Sequence, residues 1–231
     1  GKTEEALSYQ NKGLNSSPTD YELIKDVGNS YQALGNINDA KESYERAIKI
    51  NSDYAPALTN LGSLELRSGN IKEALRLLEK ATEIDPNLAI GWLNLASCYL
   101  KEGRKVEGEE AVRKSIDLNP GLFNAHFMLG NYLVEKKELE EAALHLRKTI
   151  ELKPKFLPAN ISLIEILIDL NQLKNALEIA LLCVKNHPNK FKSHFILSRI
   201  QILLGDDRAA VKSLLSAISI DSCSFAANNN L

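Results

Sequence analysis

Residues 89–122 read AIGWLNLASCYLKEGRKVEGEEAVRKSIDLNPGL, and this stretch lies over its neighbours on both sides without a gap. Pro120 stands 34 residues after Pro86 and 34 before Pro154, and the same step lands on Ser52, Pro18, Pro188 and Ser222. A period of that length held without a slip marks an array of helical hairpins. Such a chain has no single core; each hairpin buries its apolar stripe on the next.

The other punctuation keeps the same register. With the proline numbered 32 in each unit, position 20 holds Ala6, Ala40, Ala74, Gly108, Ala142, Ala176 and Ala210, and position 27 holds Gly13, Ala47, Ala81, Ser115, Thr149, Cys183 and Ala217. Small residues seven apart on one helix allow neighbouring helices to approach closely in an interior packed as densely as an organic crystal. Position 7 is always aliphatic, from Val27 to Leu197, and position 8 is Gly28, Gly62, Ala96, Gly130, Ile164 and Ser198. Position 15 runs Gly1, Gly35, Gly69, Gly103, Lys137, Asn171, Gly205. Glycine and asparagine there suit the left-handed conformation that ends a helix.

This pattern resembles the tetratricopeptide repeat family over essentially the whole chain. Trp92, Leu95, Ala96, Tyr99 and Pro120 take the family's places in one unit, and Gly28, Tyr31, Ala40, Tyr44 and Ala47 in another. The resemblance implies an all-α fold, a right-handed superhelical solenoid of helix-turn-helix hairpins in a single array over residues 1–231. Complete repeats are expected at 21–54, 55–88, 89–122, 123–156, 157–190 and 191–224, preceded by a second helix in 1–20 and followed by the start of a truncated repeat at 225–231. Asn230-Leu231 repeats the pair seen at Asn60-Leu61 and Asn94-Leu95. Neither end carries the polar cap usual in such arrays, so the chain reads as a segment of a longer protein.

Composition narrows the function. The 28 basic and 30 acidic residues leave a net charge of -2, without the basic stripe that nucleic acid requires. The most apolar stretch, Ile161 to Leu170, contains Glu165 and Asp169 and falls far short of the roughly 20 residues that span a bilayer. Cys98, Cys183 and Cys223 have neither disulfide-like nor zinc-like spacing, and a cytoplasmic setting is expected. The sequons at Asn15 and Asn160 are given little weight, because the second falls early in a helix and no leader suggests secretion.

No catalytic constellation is evident. His126 and His194 recur at position 4 two repeats apart, His145 lies on a second helix, and His187 precedes Pro188; they read as packed or solvated histidines. Acidic pairs such as Glu109-Glu110, Glu140-Glu141 and Asp206-Asp207 fall where second helices begin and favour the positive end of the helix dipole. No metal, cofactor or enzymatic activity is expected.

The first helix of each hairpin lines the concave side by family resemblance, with positions 2, 5, 6, 9, 12 and 13 facing the groove; residues three and four apart share a helix face. Early in the array this face offers Lys25, Asn29, Gln32, Thr59, Asn60, Ser63, Arg67, Asn94, Ser97 and Lys101. Carboxamides can pair with both the N–H and the C=O of an extended peptide. Asn60 and Asn94 resemble the asparagine ladder in the tetratricopeptide region of O-linked N-acetylglucosamine transferases, a pattern that breaks at Met128, Ser162 and Ile196. Lys25, Asn29 and Asn60 also match part of the clamp by which related domains hold acidic chaperone tails, but Ile90 and Asn94 replace its last two cations, removing most of the charge-assisted bonding.

Farther along, the same positions turn apolar: Leu93, Leu100, Phe127, Met128, Val134, Ile161, Ile168, Phe195, Ile196, Ile202 and Leu203, with Asn131 among them. Part of this is packing between first helices, and the rest suggests an amphipathic helix, or a flanking segment of the same protein, near Phe127 and Phe195. The expected partner is therefore a protein or peptide bound through Lys25, Asn29, Asn60, Ser63, Arg67, Asn94, Ser97, Lys101, Phe127, Asn131 and Phe195. Two alternatives stand beside this scaffold: a substrate-recruiting array of a larger enzyme such as a glycosyltransferase, and homo-oligomerisation through the uncapped ends or the apolar stretch.

Overall fold

The computed structural model describes residues 1–221, so Ser222, Cys223 and the piece 225–231 lie outside the described residues. Within them every regular element is an α-helix, thirteen in all, and the chain divides into two compact units, Gly1–Pro120 and Gly121–Leu231. The first unit holds α1 (Lys2–Ser16), α2 (Tyr21–Ala33), α3 (Ile37–Ile50), α4 (Ala55–Ser68), α5 (Ile71–Ile84), α6 (Ala89–Lys101) and α7 (Lys105–Leu118). The second holds α8 (Phe123–Glu135), α9 (Leu139–Leu152), α10 (Leu157–Asp169), α11 (Leu173–Asn186), α12 (Phe191–Leu203) and α13 (Asp207–Ile220).

Helices pair into the hairpins α2–α3, α4–α5, α6–α7, α8–α9, α10–α11 and α12–α13. Each hairpin turn uses the position-15 residue at positive φ: Gly35, Gly69, Gly103 and Gly205 at 76 to 87°, Lys137 at 64° and Asn171 at 55°. The following residue's amide then bonds back into the first helix, as Asn70 N does to Glu65 O at 2.9 Å, satisfying a carbonyl the helix end would leave bare. At the starts, Asp20 caps α2 by accepting from the amides of Glu22 and Leu23, and Asp206 caps α13 by accepting from Ala209.

The small columns are where the helices close on one another. From Ala40 to Ala210 and from Ala47 to Ala217 both columns are buried, while Ala6 and Gly13 on the outlying α1 are less covered. At position 8 the closeness can be measured. A Cβ on Gly62 would fall 2.7 Å from Cγ of Leu78, and one on Gly28 2.6 Å from the Tyr44 ring. Real Cβ atoms do not approach so near, so α4 against α5 and α2 against α3 need glycine there.

The position-32 residue has a second role besides ending the helix. Its carbonyl is bare in the turn, and a side chain from elsewhere donates to it: Arg46 to Pro18, Lys80 to Ser52, and Trp92 Nε1 to Pro86 at 2.8 Å. In the second unit Asn160 and Asn186 both reach Pro154 O, and His194 Nε2 donates to Pro188 O at 2.8 Å. On α6, α10 and α12 the donor sits at position 4, filled by indole, carboxamide and imidazole in turn, whereas Ile24 and Leu58 hold that position on α2 and α4 and Arg46 and Lys80 donate instead. That is why a tryptophan, a histidine and an asparagine share one column.

Candidate functional site

On the first unit the face formed by α2, α4 and α6 carries the expected polar residues, and those on α2 are joined with Asn60 and Tyr44 into a network. Lys25 Nζ lies 2.5 Å from Asp26 Oδ1, and Asn29 Nδ2 donates to the same oxygen at 3.3 Å. The carbonyl of Asn29 points the other way, accepting from Asn60 Nδ2 and Tyr44 Oη, both at 2.8 Å. Tyr44 Oη also lies 3.0 Å from the Gln32 carboxamide. A phenol has one proton to give, so one of its two contacts is completed by an amide NH2 turned toward the hydroxyl.

This network alters the chemistry read from the sequence. Burial works to lower the Lys25 ammonium, but its hydrogen bond to Asp26 and the adjacent Tyr54, Asp26 and Glu22 outweigh it and raise its pKa. The lysine is charged but already neutralised, so the partial match to an acidic-tail clamp weakens further. Burial also pushes the Tyr44 phenol up to about 12, which keeps it a neutral hydrogen-bonding group. Asn29 and Asn60, one repeat apart, bond to each other directly.

The next two first helices are more open. Asn94 and Ser63 are half-buried, and neither has a side-chain hydrogen bond among the described residues. Ser97 Oγ turns back to donate to Leu93 O at 3.0 Å. Arg67 and Lys101 are exposed, with no carboxylate within 4 Å among the described residues. Thr59 is buried instead of facing a groove, and its Oγ1 has no hydrogen-bond partner among the described residues.

Nearby, Glu65 is 4% exposed yet charged, held by Lys41 Nζ at 2.5 Å and Asn70 Nδ2 at 2.6 Å. The Lys41 hydrogen bond is the main cause that holds this carboxyl below its usual range, against burial. It ties α3, α4 and the turn into α5 together beneath the face.

In the second unit most of the apolar residues are absorbed by packing. Ile196 is buried, as Leu93 is in the first unit. Phe127 meets Phe156 edge-on at 4.9 Å, Phe156 also meets Phe123, and Lys153 Nζ sits 4.2 Å from the Phe123 ring centre. Phe195 stacks on Phe191 at 5.4 Å. Asn131 is half-buried on α8. Ile202 and Leu203, at the end of α12, remain exposed.

One pairing has no signal in the sequence. His126 Nδ1 and His145 Nδ1 lie 3.0 Å apart across the α8–α9 hairpin, so one ring donates and the other accepts; Glu141 stands 3.8 Å from His145 Nε2. Nineteen residues separate the two histidines, a spacing that only the hairpin register makes a contact. Among the described residues no three His, Cys, Asp or Glu side chains form a metal-binding group. Cys98 and Cys183 are buried free thiols, and burial pushes Cys98 up to about 11. Within the same residues no helix is long and apolar enough to cross a membrane.

Comparison with known proteins agrees with this architecture. The structure is similar to that of PilF from Pseudomonas aeruginosa, with a TM-score of 0.77 at 18% identity over 90% of this chain and 95% of that one. It is also similar to YrrB, described as a TPR protein with an unusual peptide-binding site, with a TM-score of 0.71 at 20% identity over 82% of this chain and 97% of that one. Against the APC/C Cut9–Hcn1 assembly the TM-score is 0.75 at 15% identity; the whole of this chain aligns with 46% of that one. At such identities the likeness is one of fold. No curated protein matches the chain by sequence. Family models described as tetratricopeptide repeat match residues 21–87, 65–125 and 123–156. These matches together run over more than half of the sequence, and the chain belongs to the tetratricopeptide repeat family.

Proposed function

We infer that the chain is a non-catalytic protein-interaction scaffold that holds an extended peptide or partner segment along the first-helix face of α2, α4 and α6. The observation that carries this reading is the state of the asparagines. Asn60 is held by Asn29 at 2.8 Å, while the Asn94 amide on the neighbouring helix keeps its donors and acceptor unused. Amides fixed on helices can bond a peptide backbone without first losing much side-chain entropy. A cytoplasmic setting belongs to the same proposal and is supported by the free thiols at Cys98 and Cys183.

The direct test is an affinity capture with the chain as bait, repeated with Asn60→Ala/Asn94→Ala. Weaker recovery of the captured partner, with an unchanged helical circular-dichroism spectrum and melting curve, is the expected outcome. Equal recovery sinks the reading. A second reading rests on the same pair of asparagines, whose succession resembles the ladder of O-linked N-acetylglucosamine transferases: the array recruits substrates for a larger enzyme. A transferase activity co-purifying with the captured full-length protein would favour it.

A further inference from the structure

The first helices α4 and α6 are direct neighbours, and they carry the same polar stripe. On α4 it is Asn60, Ser63 and Arg67; on α6 it is Asn94, Ser97 and Lys101. The spacing i, i+3, i+7 puts each stripe on one helix face, and no other first helix repeats it. At the last of these positions α2 has Ala33, α8 Glu135, α10 Asp169 and α12 Leu203.

Arg67 and Lys101 differ from those cations of this unit that are held in ion pairs. Lys25 is paired with Asp26, Lys41 with Glu65, Arg76 with Glu73, Lys80 with Asp53, Arg104 with Glu107 and Arg113 with Glu109. Arg67 and Lys101 have no carboxylate within 4 Å among the described residues. The dipole at a helix C-terminus favours a cation, but it is common to every first helix, whereas α2, α8, α10 and α12 end without a basic residue in the last turn. The dipole therefore does not explain why these two helices alone have one. Two unneutralised cations on neighbouring helices, each on the same stripe as an asparagine, give a face with amides for a backbone and positive charge for an anion.

We propose that this face takes an acidic peptide, its backbone held by Asn60 and Asn94 and an aspartate or glutamate side chain anchored between Arg67 and Lys101. The inference rests on the groove reading above and names the chemical class of its ligand. Asn60 and Arg67 are two helical turns apart, about 10 Å along the axis, a gap that the acidic side chain and the long Arg67 and Lys101 side chains close between them. The anchor lies away from Lys25, whose charge is already matched. Solvent-exposed ion pairs each contribute up to about 1 kcal/mol, so two incomplete ones give a preference of about fivefold for an acidic over a neutral residue. That preference shrinks as salt rises.

The test is an array of immobilised nonapeptides, degenerate except for a central Glu, Gln or Lys, probed with the fluorescently labelled chain at low and high salt. The expected order of retention is Glu above Gln above Lys, with the difference abolished in Arg67→Gln/Lys101→Gln and preserved in Lys72→Gln, a control on the exposed side of α5. Retention that depends on Asn94 but is equal for Glu and Gln overturns the anchor and leaves the groove reading standing. A Glu preference that survives Asn60→Ala/Asn94→Ala overturns the groove reading as well, because charge alone would then be drawing peptides. Loss of the preference in Lys72→Gln means diffuse attraction and sinks the proposal, and retention of no pool at all sinks both readings.

Discussion

In the α4–α5 hairpin the first helix supplies Gly62 and the second Leu78, whereas in α10–α11 the same two register positions hold Ile164 and Ala180; Leu78, Ile164 and Ala180 are all 0% exposed. The side chain that fills the hairpin comes from the second helix in one case and from the first in the other. What is kept is one four-carbon side chain for each pair, with the sums differing by a single methyl group, as expected where near-volume-conserving exchange is tolerated. The lesson extends to the turns. Gly69 closes α4–α5 at φ 87°, but Asn171 closes α10–α11 at 55° and Lys137 closes α8–α9 at 64°, so the second unit reaches the same backbone with residues less suited to it.

The largest effect should come from breaking the inverted hairpin. Ile164→Gly removes a fully buried side chain and adds a helix glycine, a loss of about 4 kcal/mol, read as a lower urea midpoint and as faster hydrogen exchange in α10 and α11. Adding Ala180→Leu converts the pair to the α4–α5 pattern. The double variant should recover at least part of that loss, and a strictly additive further loss would show that the two positions do not share one space.

The mirror experiment is smaller. Gly62→Ile overpacks α4 against Leu78 and should cost about 2–3 kcal/mol, partly restored by Leu78→Ala, measured by the same denaturation. Next comes Glu65→Gln, which removes the charge that pairs with Lys41 and one of the two acceptor oxygens while keeping the shape; Lys41 is itself partly exposed and can be solvated, so about 1 kcal/mol is expected near neutral pH. Because the folded-state pKa of Glu65 is lowered, its contribution is present above the unfolded value of about 4.3 and disappears as pH falls through the folded value. The gap between wild type and Glu65→Gln should therefore close on acidification. A gap that widens toward acid pH contradicts the assignment.

The smallest effect has the opposite sign. Lys137→Gly relieves a left-handed non-glycine residue and should raise the melting temperature slightly, by the equivalent of about 0.5–1 kcal/mol. The same change at Gly69, to lysine, should lower it by a similar amount. If Lys137→Gly destabilises, the turn carries some contact that the backbone argument omits.

Much of this architecture is legible in the sequence, since it is written as a period. The spacing of Pro86, Pro120 and Pro154, the small columns through Ala74 and Ala81, and the turn glycines all reflect local requirements: a helix stop, a close approach, a positive φ. The first-helix face could be located for the same reason, because helical periodicity assigns Asn60, Ser63 and Arg67 to one side. The departures at Ile164, Lys137 and Asn171 could be seen in the sequence, but their structural consequences could not.

What only the tertiary structure decided is which of those side chains still have bonding capacity. Lys25 and Arg67 look alike in sequence, yet Asp26 neutralises the first and no described carboxylate reaches the second. Asn60 and Asn94 share one register position, yet the first donates to the Asn29 carbonyl and the second has no side-chain hydrogen bond among the described residues. His126 and His145 become partners only across a hairpin. Periodicity fixes the face a residue occupies because backbone geometry repeats along the chain. Pairing depends on side chains brought together from different helices, over distances of a few ångströms that no spacing in the sequence encodes.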